Sequence, residues 1–302
     1  QLSILFVEDT EDLFGNAEAV RANMDALGIS YDLYNAVEQM QSPTAAQMND
    51  YDLVIWYCGS ELEGLYFWND QDVDNPELKT YLDGGGYLWV MGTDFLYDRY
   101  EEAPDDFQAG DFVHDYLGLT RYQLQTFADD GGIGLPFATP DAASPVMGLD
   151  SLSWQFPTLY YVDGVLPRPE AQAVYRMDVG GYIFRDSICG VWNPDTPGGV
   201  LSFYFDLALV ETNALMQQTL EAVIDFFGVV VATEDPLLSE YQVQAFPNPV
   251  REQLRLRLDL PQAEQVRGEV YSIDGKKVAE LLSSTKLPAG PQEILWSPGE
   301  LP

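Results

Sequence analysis

The sequence predicts an α/β fold built on a doubly wound, mainly parallel sheet, followed by a small all-β sandwich. Along residues 1–228, apolar runs alternate with amphipathic segments that end at glycine, which is typical of strands alternating with helices. In residues 241–302 the pattern changes to short alternating apolar and polar runs separated by turn residues. Residues 229–240, with Asp235-Pro236 at the break, are predicted to link the two domains.

The clearest helix and strand lie at residues 76–94. Proline at position 76 and glycine at position 84 are typical of the start and end of a short helix. Gly84-Gly85-Gly86 then leads into the apolar run 87–91, which indicates a strand buried on both faces. The carboxyl ends of parallel strands face the ligand crevice of such a sheet, so Gly92, Thr93 and Asp94 lie where a site would be built.

The same patterns predict the other elements of the α/β domain. Strands are expected at 2–7, 29–34, 51–57, 173–176, 182–184 and 200–205, and helices at 16–27, 111–117 and 211–227. The last helix is expected to end at Gly228 and to close the domain. Residues 95–170, rich in Asp, Gly, Pro and aromatic residues, are expected to elaborate the edge of the sheet or its crevice.

The charge of the chain is strongly negative. It has 49 Asp and Glu residues against 14 Lys and Arg, a formal net charge of −35, and nearly all of the excess lies before residue 241. Such a field repels nucleic acid and anionic lipid, and attracts cations or tolerates high salt. With only four lysines, the composition is similar to that of proteins from salt-loving organisms. A solvated acidic surface is the simpler interpretation, and a specific cation site is the alternative.

The ends and apolar runs of the sequence bear on localisation. No apolar run approaches the roughly 18 residues that a membrane span requires, so no membrane span is expected. No signal peptide is visible at the first residue, and an apolar strand begins almost at once. That start fits a mature chain whose leader has been removed, although a start set by cloning would look the same.

Two cysteines and one histidine limit the chemistry. Cys58 and Cys189 lie in apolar runs and are expected to be buried thiols, with a disulfide as the alternative in an oxidising compartment. Neither cysteine belongs to a metal-binding pattern. His114 is the only histidine, which excludes zinc sites built on two histidines.

Polar and acidic residues follow three of the predicted parallel strands, and they form the candidate site. Because these strands end at the same edge of the sheet, the side chains could form a binding crevice for a cation or for sugar hydroxyls. A hydrolase that uses Asp9, Glu61 or Asp94 as acid and base is an alternative. Separate helix-capping roles are the simplest interpretation. The candidate residues are Glu8, Asp9, Ser60, Glu61, Thr93 and Asp94.

A calcium site is a second candidate. Asp70, Asp72 and Asp74 alternate as in a calcium-binding loop, but the glycine at the sixth position is missing and Tyr81 replaces the final glutamate. An incidental acidic loop is the alternative, and no other cofactor is expected. The aromatic residues at 66–68, 95–100 and 154–161 could form a stacking platform for sugar, although core packing explains most such rings.

In the last 62 residues, the spacing of Phe246-Pro247-Asn248-Pro249, Asp274-Gly275-Lys276-Lys277 and Leu287-Pro288-Ala289-Gly290 resembles that of the sorting domain of proteins exported by the type IX secretion system of Bacteroidota-type bacteria. The resemblance implies an immunoglobulin-like sandwich, recognition by the secretion machinery, and a secreted or cell-surface location. Family members continue beyond the closing leucine-proline with a final aromatic strand that this sequence lacks, so an incomplete edge could support self-association. The residues that carry the resemblance are Phe246, Pro247, Asn248, Pro249, the run 271–278 with Asp274, Gly275, Lys276 and Lys277, the run 287–290, and the end from Trp296 to Pro302.

A looser resemblance rests on five runs of the first domain: 4–9, 51–56, 82–88, 205–207 and 226–228. In these runs the domain resembles the class I glutamine amidotransferase-like, flavodoxin-like fold of secreted bacterial proteins. The family places a nucleophilic cysteine after the glycine-led strand and a His-x-Glu pair near the last strand. This chain has Met91-Gly92-Thr93 and Tyr204-Phe205-Asp206 there, so both are absent. We therefore expect a non-catalytic binding or structural module, with an extracellular hydrolase or a self-assembling surface protein as alternatives.

Overall fold

A computed structural model of the chain describes residues 2–60, 66–70, 73–177, 180–233, 242–246, 254–260, 263–271 and 277–297. It divides into two compact units, Gln1–Gly228 and Val229–Pro302. Each unit is described by itself.

The first unit is a mixed α/β structure around one large sheet. Its helices are α1 (Asn16–Ala26), α2 (Ala36–Gln39), α3 (Ala45–Met48), α4 (Pro76–Asp83), α5 (Tyr97–Tyr100), α6 (Phe112–Asp115), the 3₁₀ helix Leu207–Leu209 and α7 (Asn213–Thr233). Its strands are β1 (Ile4–Glu8), β2 (Asp32–Asn35), β3 (Leu53–Gly59), β4 (Trp68–Asp70), β5 (Val73–Asp74), β6 (Tyr87–Gly92), β7 (Asp105–Asp106), β8 (Leu119–Gln125), β9 (Thr139–Pro140), β10 (Asp163–Pro167), β11 (Gln172–Met177), β12 (Ser187–Asn193) and β13 (Gly199–Phe203).

The central part of the sheet is parallel. Its strand order is β2-β1-β3-β6-β13-β12-β10-β8-β7, and the pairs from β2 to β13 run parallel. From β13 onward the neighbouring strands pair antiparallel, and β11 adds beside β12. The acidic and aromatic segment 95–170 therefore supplies strands that widen the sheet as well as loops.

Both faces of the central strands are covered. Every residue of β1, β3 and β6 is buried, as expected for parallel strands with helices on both sides. On one face, Trp56 and Val90 belong to a core cluster with Leu78 of α4 and Phe112 of α6. On the other, the ring of Tyr87 lies 6.1 Å from that of Phe227 in α7.

Local signals explain where the helices begin. The side chain of Asn75 accepts hydrogen bonds from the backbone N–H groups of Glu77 and Leu78, and Pro76 occupies the first turn of α4. Thr44 and Gln47 form a capping box at α3. The bounds of α4 match the sequence prediction because these signals lie within a few residues of one another.

Two predictions about elements are wrong. Residues 182–184 lie in a turn, because Arg185 N–H donates to the Tyr182 carbonyl and Ser187 N–H donates to the Phe184 carbonyl, so these carbonyls bond locally and not to a neighbouring strand. Helix α7 passes Gly228 and ends at Thr233, because a glycine in a helix costs only about 1 kcal/mol and the valines after it continue the helix. The predicted linker therefore begins within the helix.

Helix α7 also corrects the expectation about apolar segments. Its residues Asn213–Val231 are long and apolar enough to cross a membrane, with mean hydropathy 1.4 and 33% of the segment buried. Core helices of globular proteins meet the same criterion, and the Phe226 ring packs 4.9 Å from that of Trp192 on the sheet. By length and composition alone, the helix does not decide the location of the protein.

Beyond the end of α7, the described residues of the second unit form antiparallel strands. They are β14 (Gln242–Phe246), β15 (Leu254–Leu260), β16 (Glu264–Tyr271), β17 (Lys277–Leu287) and β18 (Gly290–Trp296). One sheet has the order β14-β15-β18, and β16 pairs with β17 in another. Most of the predicted sorting residues, Pro247, Asn248, Pro249, Asp274, Gly275 and Lys276, lie outside the described residues, whereas Lys277 starts β17 and pairs with Glu280 at 2.8 Å.

Candidate functional site

A crevice lies where β3 and β6 end. Ser60, Thr93 and Asp94, which follow these strands, line a cavity of about 430 Å³, a size typical of small-molecule sites. The strand ends approach closely: Thr93 N–H donates to the Gly59 carbonyl at 3.0 Å. A Cβ on Gly92 would lie 3.0 Å from that carbonyl oxygen, so glycine is needed at this position. The topology therefore brings three of the candidate residues together.

Asp94 is the central polar residue of the crevice. Its carboxylate Oδ1 accepts a 2.6 Å hydrogen bond from Gln125 Nε2, at the end of β8. Partial burial raises the pKa of Asp94, although this hydrogen bond opposes the effect. Asp94 also lines a second cavity of about 690 Å³, together with Tyr97, Tyr122, Gln125 and Asp129. The carboxylate thus lies at the boundary of two cavities.

Three residues at the crevice have left-handed backbones. Asp94, Phe127 and Tyr161 have φ values of 59°, 71° and 61°. A bulky aromatic residue rarely adopts this conformation, which costs roughly 1–3 kcal/mol per residue. Residues held this way cluster at functional sites, where the surrounding structure imposes the geometry.

Aromatic rings form one wall of the crevice. The ring of Phe127 lies 4.4 Å from that of Tyr160 and 5.5 Å from that of Tyr161. Phe156 also lines the smaller cavity and is 57% exposed. Large rings that remain in contact with solvent beside a cavity provide surfaces on which a ligand can stack. The sequence prediction of an aromatic platform included residues 156, 160 and 161 of this wall.

Buried carboxyl groups support the crevice from behind. Asp163, at the start of β10, is fully buried, and its carboxyl accepts hydrogen bonds from Leu96 N–H at 2.9 Å and Gln125 Nε2 at 3.2 Å. Burial raises the pKa of Asp163 to about 7. Burial and the charge of Asp94 raise the pKa of Asp98 to about 6. These groups make the local potential more negative when they ionise.

A polar network fixes Ser60 at the edge of the smaller cavity. Asn16 Nδ2 donates to Ser60 Oγ and to Asp206 Oδ2, at 3.1 Å in each case. Tyr57 donates to the other Asp206 oxygen at 2.8 Å. Burial raises the pKa of Asp206 to about 6. The network joins α1 to β3 and to the segment after β13.

The two acidic residues at the carboxyl end of β1, Glu8 and Asp9, have separate structural roles. Asp9 is fully buried, and its carboxylate accepts hydrogen bonds from Trp56 Nε1 at 3.0 Å and from the N–H groups of Tyr66 and Phe67. Burial raises the pKa of Asp9 to about 6. Glu8 pairs with Arg21 at 3.0 Å and accepts from Asn35. Neither residue lines the two crevice cavities.

The remaining sequence candidates have these positions. Glu61 and Asp72 lie outside the described residues, as does the side chain of Asp70. Asp74 pairs with Arg99 at 2.8 Å and with Lys79 at 3.2 Å, so cations of the chain already contact its carboxylate. Within the described part of the chain, no three His, Cys, Asp or Glu side chains are grouped to hold a metal ion.

A larger cavity of about 780 Å³ lies between α4, α6 and β7. Lys79, Arg99 and several aspartates line it, and both basic side chains pair with Asp74. Its lining includes neither the carboxyl ends of the parallel strands β3 and β6 nor the left-handed residues Asp94, Phe127 and Tyr161. We therefore assign the candidate site to the crevice at Asp94.

The thiols and the imidazole lie apart from this crevice. Cys58 and Cys189 are fully buried and form no disulfide with each other, and burial raises the pKa of Cys189. His114 Nδ1 lies 2.7 Å from the carboxylate of Asp115 in α6. None of the three lines either crevice cavity. A thiol without access to solvent cannot attack a substrate, whatever its nearest base.

Sequence reasoning missed Gln125, Asp163 and Phe127. Gln125 is 31 residues from its partner Asp94, and Asp163 is 67 residues from its partner Leu96. No local sequence pattern marks any of the three residues. Asp163 directly follows the aromatic segment and begins a strand, which is the one signal that could have drawn attention to it.

Comparisons with known proteins add likenesses of fold. No family model matches the chain, and no curated protein matches it. Among solved structures, a β-galactosidase from Bacillus circulans sp. alkalophilus is 12% identical, with a TM-score of 0.43, over 97% of this chain and 41% of that one. A cytoplasmic protein from Salmonella typhimurium LT2 is 14% identical, with a TM-score of 0.46, over 76% of this chain and 98% of that one.

A third solved structure, described as a ThuA-like protein from Parabacteroides merdae ATCC 43184, is 9% identical, with a TM-score of 0.38. The likeness covers 74% of this chain and 89% of that one. The chain spans less than half of the β-galactosidase. At these identities and scores, none of the likenesses assigns a function to this chain.

Proposed function

We propose that this chain is a secreted or cell-surface bacterial protein whose α/β unit binds a small molecule and does not catalyse a reaction. The observation that carries the proposal is the cavity bounded by Asp94 and Tyr161, two left-handed residues joined by a backbone hydrogen bond. Such strain persists only where the surrounding structure maintains it, and a rigid, partly aromatic cavity is what a binding site requires.

The hydrolase alternative has less support. It needs two carboxyl groups that face the substrate, about 5–9 Å apart. Asp9 is committed to three hydrogen-bond donors in the interior and lines neither crevice cavity. Asp163 is fully buried beneath the crevice. Glu102 and Asp129 line only the larger cavity, so Asp94 is the single carboxylate among the described residues that line the smaller one.

A melting experiment tests binding. The full chain is heated with members of a panel of methyl glycosides, small organic amines and calcium, because a ligand that binds only the folded state raises its melting temperature. We expect at least one member to do so, and we expect Phe156→Ala to reduce the effect by removing an exposed wall ring.

The matched control is Phe137→Ala. It removes the same type of side chain, 46% exposed, from a position that lines neither crevice cavity. It should leave the ligand-induced shift unchanged. A panel without any shift, or shifts that persist in both Phe156→Ala and Asp94→Asn, contradicts the proposal.

The proposal for the second unit is export through type IX secretion, with an immunoglobulin-like sandwich as the recognised domain. Its support is the sequence resemblance of residues 241–302 together with the antiparallel pairing of the described strands from β14 to β18. Expression of the full chain, and of the chain without residues 234–302, which keeps α7 whole, in a host with that system tests it. We expect only the full chain in the medium or at the cell surface; equal export of both contradicts the proposal.

A further inference from the structure

We propose that the crevice binds a small organic cation, with an ammonium group against Asp94 and an apolar body against the aromatic wall. This inference rests on the proposed binding function and adds the chemical class of the ligand. It comes from the charge of Asp94 and from the composition of the cavity around it.

The first argument is that no positive group among the described residues pairs with Asp94. The hydrogen bond to its side chain comes from the neutral amide of Gln125. Among the described residues that line the two cavities there is no Lys, Arg or His. This contrasts with Asp74, which contacts both Arg99 and Lys79. A carboxylate beside a cavity with only a neutral partner favours a cation from solution.

The second argument is the potential around the crevice. Asp98 is close enough for its pKa to be raised by the charge of Asp94, and Asp163 shares Gln125 with Asp94. The whole chain carries a formal charge of −35. A field of this sign concentrates cations at a cleft and repels anions.

The third argument is the wall of the smaller cavity. Among the described residues that line it, the polar side chains are those of Ser60, Thr93, Asp94 and Thr158, and the other six residues are apolar or aromatic. A sugar would leave several hydroxyl groups unpaired against this surface, which costs free energy. A cation gains attraction from the ring faces, and an apolar body gains from burial. The six are Phe156, Pro157, Leu159, Tyr160, Tyr161 and Leu209.

Three probes of nearly equal shape test the inference. Benzylamine, benzyl alcohol and benzoate share a phenyl ring and carry a positive, a neutral and a negative group. Their binding to the full chain is measured by calorimetry or ligand-observed NMR. The measurement is made at about pH 8, where a carboxylate is ionised. We expect benzylamine to bind at least about tenfold more tightly than benzyl alcohol, since a half-buried charge pair provides that much. We expect no binding of benzoate.

A variant isolates the carboxylate. Asp94→Asn should weaken benzylamine binding by about tenfold or more and leave benzyl alcohol binding little changed, because the shape of the side chain is kept while the charge is lost. The control Asp50→Asn makes the same change in net charge at an exposed residue before β3, at the opposite end of the strand from the crevice. It should leave benzylamine binding unchanged.

The outcomes separate the two proposals. Equal affinity for benzylamine and benzyl alcohol, or full affinity for benzylamine in Asp94→Asn, overturns the cation inference but leaves a binding crevice. Binding of a methyl glycoside in preference to all three probes has the same effect. Failure of the three probes and of the whole ligand panel overturns both proposals.

Discussion

The backbone N–H of Asp94 donates a 2.9 Å hydrogen bond to the carbonyl oxygen of Tyr161, and both residues have left-handed backbones. The contact joins the end of parallel strand β6 to the segment before antiparallel strand β10. Two strained residues thus hold each other at the centre of the crevice. The geometry comes from the surrounding fold, because an isolated peptide would rarely place either residue in this conformation.

The strain at Tyr161 should be measurable by comparing two substitutions. Both Tyr161→Gly and Tyr161→Ala lose the ring, but only glycine adopts a positive φ without a steric penalty. We expect the glycine variant to be more stable than the alanine variant by about 1 kcal/mol in urea unfolding of the full chain. The reference position is Tyr160, which lies outside the left-handed region. There alanine should equal or exceed glycine, and the same order at both positions would contradict the assignment of strain.

The buried carboxyl groups predict a pH dependence of stability. Burial raises the pKa of Asp9, Asp98 and Asp206 to about 6 and that of Asp163 to about 7, whereas an unfolded Asp titrates near about 3.9. Between these values the unfolded chain has lost protons that the folded chain keeps, so stability falls as pH rises. Each pH unit over which the states differ by one proton changes the free energy of unfolding by about 1.4 kcal/mol.

Urea unfolding of the full chain between about pH 5 and about pH 8 measures this dependence, and we expect the free energy of unfolding to fall across the range. Asp163→Asn cannot ionise, so its curve should be flatter up to about pH 7. A free energy that rises with pH across this range would contradict the proposed state of these groups.

Asp9 is predicted to be a structural residue. Asp9→Ala leaves Trp56 Nε1 and the N–H groups of Tyr66 and Phe67 without their acceptor in the interior. Each unsatisfied buried donor costs about 1–3 kcal/mol, so we expect a loss of at least about 3 kcal/mol in urea unfolding. The control Asp50→Ala makes the same substitution at an exposed aspartate and should change stability by less than about 0.5 kcal/mol. Comparable losses in the two variants would mean that the contacts of Asp9 contribute little.

The two thiols are predicted to be unreactive in the folded chain. Cys58 and Cys189 form no disulfide with each other and have 0% exposed surface. A thiol reagent should label neither in buffer within minutes and both in guanidinium chloride, because the thiolate must reach the reagent. Rapid labelling of the native chain would show access to a buried strand, and absence of labelling after unfolding would show a disulfide.

The sequence by itself determined the local elements and the edge of the sheet at which the candidate residues lie. Pro76 and Gly84 mark α4, and the apolar run that ends at Gly92 marks β6, because caps and buried strands depend on neighbouring residues. Parallel strands then place Ser60, Thr93 and Asp94 at one edge. The same reasoning failed at residues 182–184 and at Gly228, where distant contacts and the following residues outweigh the turn signals.

Only the tertiary structure decided the partners of these residues. Gln125, Tyr161 and Asp163 reach Asp94 because β8 and β10 extend the sheet antiparallel beside β12. Pairing between strands far apart in the chain depends on the packing of the whole sheet, and no period in the sequence encodes it. Asp9 and Asp94 each follow a buried parallel strand and look alike in the sequence. Only the packed structure shows that Asp9 is enclosed by hydrogen-bond donors and that Asp94 borders the crevice.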